Sequence, residues 1–447
     1  MNRSTGKTSW IRGACLNGLI ILGLILPSSM RGETISEKKQ DEIIGKISSL
    51  LESNYVSPET GGRVSELLLA SHREGKYSEK KSLQEFATQL DADLREWSSD
   101  KHLGVIYDPD WVRQMKETDE EDTYLTAEMI AEERAKNFGF KRCEILDGNI
   151  GYLDLRIFFH PKYAGATAVA AMNLLSDCEA VIIDLRNNGG GWGNMVSFLC
   201  SYFLDNEEII HLNSVYSRPE DRLDQSWTTP YVPGRIMADI PLYVLTSRST
   251  FSAAEEFCYN LKFLRRAIIV GERTRGGAHP ISSKVLSDEL ILIIPEFASV
   301  HPVTKTNWEG VGVEPDISVA AEDAFDVAYL DGMEKLRGSA LEDKKELLQW
   351  YIDGFRARKS PAVVEAEILQ SYAGKYGSLN IRFEDDLLTY QRGDRAKYRM
   401  IPMSETLFLI DEQSGVRIRF KKENKQITGL VALYSDGNSA EYGREAD

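Results

Sequence analysis

Residues 241–264, "PLYVLTSRSTFSAAEEFCYNLKFL", have the pattern of a strand that passes through a short turn into a helix. The apolar run at 242–245 has no polar alternation, which is typical of a strand buried on both faces. A second stretch, "EAVIIDLRNNGGGWGN" at 179–194, repeats this order of buried strand, loop and helix. Such strands, separated by helices, predict an α/β core with a largely parallel sheet.

The segments on either side of this core have different patterns. Apolar residues at helical spacing between 34 and 97 predict an N-terminal three-helix bundle, and hairpin-like alternation from about 366 predicts a small antiparallel β domain. We therefore expect four segments. They are a signal peptide at 1–32, a helical domain at 33–100, the core at 101–338, and a linker helix followed by the C-terminal β domain at 339–447.

The first 32 residues have the order of charge and hydrophobicity that a secretory signal has. Arg3, Lys7 and Arg12 precede the apolar stretch at 15–26, which is short for a membrane span. We expect an exported protein, periplasmic or extracellular, that is associated with a membrane only if this segment stays uncleaved. The net charge of −16 repels phosphate backbones, so nucleic acid is excluded as a partner.

The cysteines of the remaining chain show no metal-binding pattern. Cys143, Cys178, Cys200 and Cys258 lack CxxC or Cys/His spacing, which disfavours a zinc site. We therefore expect no metal and no cofactor. Apolar surroundings favour buried free thiols at least as much as disulfides, and the spacing leaves both alternatives open.

Two turns of the core carry residues with chemical potential. Ser252 lies at the start of a helix, where it is either a nucleophile beside backbone N–H groups or, with Glu255, a capping box. The glycines at 189–191 either cradle an anion or form a plain tight turn. Both turns follow buried strands, and ligands bind at that edge of an open parallel sheet. A nucleophile and an anion-binding loop are therefore expected to face one another.

Four motifs together resemble peptidase family S41. They occur in the order "DLRNNGGG", "LTSRSTFSAAEEF", "VGERTRGGAHP" and "NWEGVGVEPDI", and the earlier stretches "SNYVSPE" and "SSDKHLGVIY" are similar to the branch that contains the interphotoreceptor retinoid-binding protein. The resemblance covers about residues 36–335. It implies a ClpP/crotonase-like core and a serine-type peptidase.

The resemblance also implies roles for individual residues. It assigns Ser252 as the nucleophile, His102 as the general base and Glu309 as the carboxylate that orients the base. The processing-peptidase branch uses a Lys base in the segment that matches "GERTRGGAHP", and that segment has no Lys here. The implied oxyanion donors are the N–H groups of Ala253 and of Gly190 or Gly191. His279 and Gly277 are candidate substrate contacts, and His279 is also a rival for the role of base.

These inferences predict an exported enzyme that hydrolyses peptide bonds in peptides or proteins through an acyl-enzyme. Two alternatives stay open. A non-catalytic carrier of apolar ligands is implied by the retinoid-binding relatives, and an esterase would use the same serine. The sequence does not indicate an oligomeric state.

Overall fold

The computed structural model describes residues 35–80, 82–117, 125, 127–424 and 426–445. The predicted signal peptide at 1–32 lies outside the described residues. The chain divides into two compact units. One unit contains the described residues up to Ile145 together with Gly151–Ala328, and the other contains Leu146–Ile150 with the described residues from Tyr329 onward.

The first unit combines helices and strands, and its last helix continues into the second unit. Its helices are α1 Glu37–Asn54, α2 Pro58–Arg73, α3 Leu83–Ser98, α4 Pro109–Glu117, α5 Ala127–Ala135, α6 Pro161–Leu175, α7 Gly193–Cys200, α8 Ala253–Phe263 and α9 Ala324–Ser339. Its strands are β1 Gly104–Tyr107, β2 Phe140–Leu146, β3 Ile150–Leu155, β4 Ala180–Asp184, β5 His211–Ser217, β6 Arg222–Trp227, β7 Leu242–Thr246, β8 Ile268–Gly271, β9 Ile281–Val285, β10 Leu290–Pro295, β11 Phe297–Val300 and β12 Ile317–Ser318.

The central sheet of this unit has six strands in the order β12-β8-β7-β4-β3-β2. The pairs β12–β8, β8–β7 and β7–β4 are parallel, and all residues of β4 and β7 are buried. The predicted α/β core is confirmed. Since β4 and β7 are parallel neighbours, the glycine loop and the turn before Ser252 leave the sheet side by side at the same edge.

The three predicted N-terminal helices are present, and each begins at a serine that caps it. The side chains of Ser36, Ser57 and Ser82 accept hydrogen bonds from the backbone at the starts of α1, α2 and α3. The apolar faces of these helices share one core with Leu292 and Ile294 of β10. Strand β1 pairs with β10 in a three-stranded antiparallel sheet, and a second such sheet has the order β11-β5-β6. The residues between α3 and β1 are thereby held against the core.

The second unit contains helices α10 Glu342–Lys359 and α11 Ala366–Ser371 and one eight-stranded sheet. All neighbouring strands of this sheet pair antiparallel, in chain order. The antiparallel C-terminal domain predicted from sequence is confirmed. Its strands are β13 Gly374–Tyr376, β14 Leu379–Glu384, β15 Leu387–Arg392, β16 Lys397–Pro402, β17 Leu407–Ile410, β18 Gln413–Glu423, β19 Gln426–Tyr434 and β20 Ser439–Gly443.

Two further observations concern cysteines and membranes. The four described cysteines, Cys143, Cys178, Cys200 and Cys258, are free thiols, so of the two alternatives left open by the sequence the structure contains the reduced one. Among the described helices, none combines the length and the apolar character that crossing a bilayer requires.

Candidate active site

Ser252 occupies a strained backbone position at the start of α8. Its φ of 56° and ψ of −122° lie in a region that residues with a side chain rarely adopt. Such a conformation costs on the order of 1–3 kcal/mol and persists only where the surrounding structure enforces it. Here the preceding turn is tied to the end of β4, because the Thr250 hydroxyl donates to the Leu185 carbonyl at 2.8 Å and the Ser247 hydroxyl to the Arg186 carbonyl at 2.5 Å.

The glycine loop after β4 touches Ser252. A Cβ atom on Gly190 would lie 2.8 Å from the Ser252 Cβ, so only glycine permits this approach. The φ of 115° at Gly190 and of 134° at Gly191 also favour glycine. Asn188 fixes the loop, since its side-chain amide donates to the Leu155 carbonyl and its backbone carbonyl accepts from the Phe251 N–H.

The N–H groups around Ser252 differ in their availability. The Gly190 N–H already donates to the Asn188 side chain at 2.8 Å. Within the described part of the chain, the N–H groups of Gly191 and Ala253 donate to no acceptor. Of the three donors that the sequence predicts, Gly191 and Ala253 therefore have the free hydrogen that an oxyanion needs, whereas Gly190 shapes the loop.

Glu255 connects Ser252 to the segment that follows β8. Its buried carboxylate accepts four hydrogen bonds, from the Ser252 N–H, the Thr274 hydroxyl, the Gly276 N–H and the Gly277 N–H, at 2.5–2.9 Å. Burial raises the pKa of Glu255 to about 7, although these hydrogen bonds favour the carboxylate. The acidic half of the predicted capping box thus also holds residues 274–277 beside the serine.

His102 lies between α3 and β1, fully buried against the residue that precedes the serine. Its ring stacks on Phe251 with 4.5 Å between the centroids. A Cβ atom on Gly277 would lie 2.6 Å from His102 Cε1 and 2.2 Å from Phe251 Cε2, so the glycine leaves the space that both rings fill. Burial lowers the pKa of His102 to about 4, against the attraction of Asp100.

Asp100, His279 and Glu309 form a second group next to His102. The distance from His279 Nδ1 is 3.0 Å to Asp100 Oδ2 and 3.6 Å to Glu309 Oε2. Asp100 Oδ1 accepts the His102 backbone N–H at 2.8 Å and lies 3.9 Å from His102 Nδ1. Tyr55 donates its hydroxyl to Asp100 Oδ2 at 2.9 Å. Asp100 is therefore the residue that joins the two groups.

The pKa values in this second group shift in different directions. Burial lowers the pKa of His279, but the hydrogen bond to Asp100 and the negative charges of Glu309 and Asp100 outweigh it and raise the pKa above its usual value. Burial raises the pKa of Glu309. For Asp100, burial raises the pKa, but His279 and His102 outweigh it and hold the pKa below its usual value. An imidazolium at His279 facing carboxylates is consistent with these directions.

The sequence-predicted residues thus fall into two neighbouring groups. Ser252, Gly190, His102 and Gly277 surround Phe251, whereas Glu309 contacts His279 and accepts the Ala278 N–H at 2.6 Å. Neither Asp100 nor Tyr55 is among the residues that the sequence predicts for the site. The signal for Asp100 is its position two residues before His102, within the same motif "SSDKHLGVIY".

Two family models match the chain. The model described as "Peptidase family S41" matches residues 149–319, and the model described as "N-terminal domain of Peptidase_S41 in eukaryotic IRBP" matches residues 36–137. The two matched regions contain every residue of the candidate site and together span more than half of the chain.

Curated relatives are processing proteases and a tricorn protease. A carboxyl-terminal-processing protease of Picosynechococcus is 28% identical over 158 residues, which are 35% of this chain and 36% of that protein. A tail-specific protease of Haemophilus influenzae is 32% identical over 98 residues, 22% of this chain and 13% of that protein. A tricorn protease of Thermoplasma volcanium is 28% identical over 192 residues, which are 42% of this chain and 16% of that protein. The chain thus spans little more than a third of the first of these relatives and less of the others.

Solved structures of the same kind align with the chain. The photosystem II D1 C-terminal processing protease aligns with 67% of this chain and 98% of its own, at 14% identity and a TM-score of 0.42. The tricorn protease aligns with 67% of this chain and 37% of its own, at 16% identity and a TM-score of 0.44. From the two family models and the curated relatives, we conclude that the chain belongs to peptidase family S41.

Proposed function

We propose that the protein is a serine peptidase that hydrolyses peptide bonds in peptide or protein substrates through an acyl-enzyme on Ser252. The observation that carries this proposal is the strained backbone of Ser252, at φ 56°, with a glycine loop against its Cβ. A cap serves a helix without such strain, whereas a nucleophile gains from it, because the sharp turn lifts its hydroxyl away from the backbone. Membership of a peptidase family supports the same assignment.

In the first step, Ser252 Oγ attacks the carbonyl carbon of the scissile bond and gives its proton to His102. The tetrahedral intermediate then collapses, the C–N bond breaks, and His102 passes the proton to the leaving amine. Water repeats the sequence on the acyl-enzyme, releasing the acid and the free serine. These steps move only protons and electron pairs between side chains, substrate and water, so they call for no cofactor.

The environment of His102 favours the neutral imidazole, and a general base must be neutral before it accepts a proton. Burial lowers the pKa of His102 to about 4, so the imidazolium that forms during the reaction needs a negative charge nearby. We assign Asp100, whose Oδ1 lies 3.9 Å from His102 Nδ1, to stabilise the imidazolium that forms during the reaction. Glu309 then acts as an orienting carboxylate through its contact with His279, which in turn binds Asp100.

The oxyanion that develops on the substrate carbonyl would be bound by the N–H groups of Ala253 and Gly191. Ala253 follows the nucleophile directly at the first position of α8, where the helix dipole also favours negative charge. Gly190 keeps the loop close to the serine. Gly277, whose N–H is held by Glu255, and His279, two residues further along the chain, are the proposed substrate contacts.

Export to the periplasm or the extracellular space is part of the proposal. It rests on the charge and hydrophobicity of residues 1–32. The mass of the mature protein, isolated from the organism that makes it, tests this part. Cleavage of the signal should lower the mass by that of about the first 32 residues. A mature protein that retains its first residues would contradict cleavage.

The peptidase proposal is tested by covalent labelling with a fluorophosphonate and by hydrolysis of a peptide library. We expect Ser252→Ala to abolish both, and the matched change Ser249→Ala, at an exposed serine of the same turn, to retain both. Both variants should melt close to the wild type, because loss of the cap hydroxyl of Ser252 costs only about 1 kcal/mol and Ser249 is exposed. Undiminished labelling of Ser252→Ala would overturn the assignment of the nucleophile. Labelling without hydrolysis of any peptide, but with hydrolysis of esters, would assign the site to an esterase.

A further inference from the structure

Three side chains of the second group offer ligand atoms that converge on one point. Asp100, His279 and Glu309 each contribute one atom, and these atoms lie within 4.8 Å of one another. They come from three separate segments, namely the turn between α3 and β1, the stretch before β9, and the loop between β11 and β12. Two carboxylate oxygens and one imidazole nitrogen form a ligand set that suits a borderline divalent ion.

The two distances from His279 Nδ1 are close to the edges of a tetrahedral site. Zinc bonds of 2.0–2.2 Å to nitrogen and oxygen place neighbouring ligand atoms about 3.4 Å apart. The distances from His279 Nδ1 to Asp100 Oδ2 and to Glu309 Oε2 are 3.0 Å and 3.6 Å. A metal ion bound by these atoms would replace the hydrogen bond between His279 Nδ1 and Asp100 Oδ2.

The carboxylates are already oriented by neighbouring donors. Tyr55 donates to Asp100 Oδ2, the His102 N–H to Asp100 Oδ1, and the Ala278 N–H to Glu309 Oε2. Partners of this kind fix ligands and raise metal affinity. The side chains of His279 and Glu309 are 17% and 19% exposed, so solvent reaches the group, and water would supply the fourth ligand of a zinc ion.

The ligand types discriminate between metals. Calcium and magnesium prefer six or more oxygen ligands, and this group has a nitrogen and only two carboxylates. Zinc accepts four ligands with histidine among them. Two carboxylates that share one histidine also leave negative charge for a divalent cation to neutralise.

We propose that Asp100, His279 and Glu309 form a binding site for Zn²⁺, and that occupation of this site inhibits the enzyme. The ion takes up the carboxylate of Asp100, which also lies beside His102, and so adds positive charge next to the imidazole that must become an imidazolium. Zinc binding itself is independent of the proposed function, whereas the inhibition rests on it.

The binding part is tested by calorimetric titration of the metal-free full-length protein with Zn²⁺, together with thermal melts. We expect one equivalent to bind and to raise the melting temperature, since a ligand that binds only the folded state stabilises it. His279→Gln and Glu309→Gln should each lower the affinity at least tenfold. The matched control is His72→Gln. It also removes a histidine that contacts a carboxylate, since His72 Nε2 lies 2.6 Å from Asp41 Oδ1, and it should bind zinc as the wild type does.

The outcomes separate the two parts of the argument. Absence of zinc binding to the wild type, or equal binding by wild type, His279→Gln and Glu309→Gln, overturns the site. If one variant fails to fold, the other decides, because each removes a separate ligand. For the inhibition, Zn²⁺ should lower the peptide hydrolysis of wild type and His72→Gln, and EDTA should restore it. If zinc binds and peptide hydrolysis is unchanged, the inhibition is contradicted. If the metal-free enzyme hydrolyses no peptide, the proposed function is contradicted, and the titration still tests the zinc site.

Discussion

The imidazole of His102 stacks on the ring of Phe251, with 4.5 Å between the ring centroids and 29° between their planes. Phe251 is the neighbour of Ser252 in the chain, so the proposed base packs against the residue next to the proposed nucleophile. Arg275 lies over the same ring, 4.8 Å from its centroid. Packing around Phe251 therefore helps to position the proposed base.

Gly277→Ala should reduce turnover because the added methyl group would meet both rings. A Cβ atom there lies 2.2 Å from Phe251 Cε2 and 2.6 Å from His102 Cε1, which is closer than packed atoms come. We expect kcat to fall by on the order of a hundredfold, since small displacements of a catalytic group have effects of that size. Steady-state peptide hydrolysis measures this change.

The control for this variant is Gly165→Ala. Gly165 lies within α6, and a Cβ atom added there would meet no other atom within 4 Å. Alanine also has a higher helix propensity than glycine. It should therefore keep full activity and gain slightly in stability. Wild-type turnover of Gly277→Ala would show that His102 tolerates displacement, which would contradict its role as the base.

The pH dependence of kcat/KM should reveal which histidine is the base. A base is active only when neutral, so the rising limb follows the pKa of the free enzyme's base. Burial lowers the pKa of His102 to about 4, whereas the carboxylates next to His279 raise the pKa of that residue above its usual value. With His102 as the base, the limb lies well below pH 6.5, and with His279 as the base it lies above.

Substitution of the two histidines provides the matching test. His102→Ala should lower kcat by on the order of 10⁶-fold, as loss of the base does in other serine hydrolases. His279→Ala should retain much of the activity. A larger loss at His279, together with a rising limb above pH 6.5, would assign the base to His279.

Asp100→Asn should impair the enzyme more than Glu309→Gln. Asp100 contacts His102 directly and raises its pKa, whereas the carboxylate of Glu309 contacts His279 and the Ala278 N–H. Removing the Asp100 charge should shift the rising limb of the rate profile to lower pH and reduce kcat with little change in KM. Glu309→Gln should leave the limb in place and cause a smaller loss. The reverse order would make Glu309 the carboxylate that acts on the base.

Glu256→Gln should make the protein more stable at neutral pH. Burial raises the pKa of Glu256 to about 7, so its folded state binds a proton more tightly than the unfolded chain does. The stability due to this proton is complete below the ordinary pKa of 4.5 and is lost as the pH rises to about 7. The slope is at most about 1.4 kcal/mol per pH unit.

Urea unfolding at pH 5 and pH 7.5 measures this effect. Glutamine cannot ionise and mimics the protonated acid, so the free energy of unfolding of Glu256→Gln should fall less between the two pH values than that of the wild type. The control is Glu66→Gln, at an exposed position of α2, which should follow the wild type. An identical pH dependence in all three proteins would show that Glu256 is ionised throughout.

Local patterns in the sequence determined most of the fold. Three patterns were decisive, and each arises within one element. They are the uninterrupted apolar runs of the buried strands β4 and β7, the helical spacing of α1 to α3, and the alternation of the strands after residue 366. For the same reason the turn before α8 and the glycine loop could be located, because strained or crowded turns need particular residues. The resemblance to family S41 supplied Ser252, His102 and Glu309.

Contacts between distant segments could not be obtained in this way. The motif of His102 points to Asp100, but nothing local shows that Asp100 would also bind His279, or that Glu255 would bind the N–H groups of Gly276 and Gly277. Spacing along the chain likewise gives no sign that Asp100, His279 and Glu309 converge. Asp100 is more than a hundred residues away from the other two in the sequence. The pKa shifts also depend on burial by the whole unit.

The sequence by itself therefore determined the elements and the turns, because each depends on neighbouring residues, and its resemblance to family S41 singled out Ser252 as the nucleophile candidate. Only the tertiary structure decided which carboxylate lies beside His102, which N–H groups remain free for an oxyanion, and which histidine is kept neutral. Those properties depend on distances and on exclusion of water, and both arise when β4, β7 and the segments before β1 and β9 pack together.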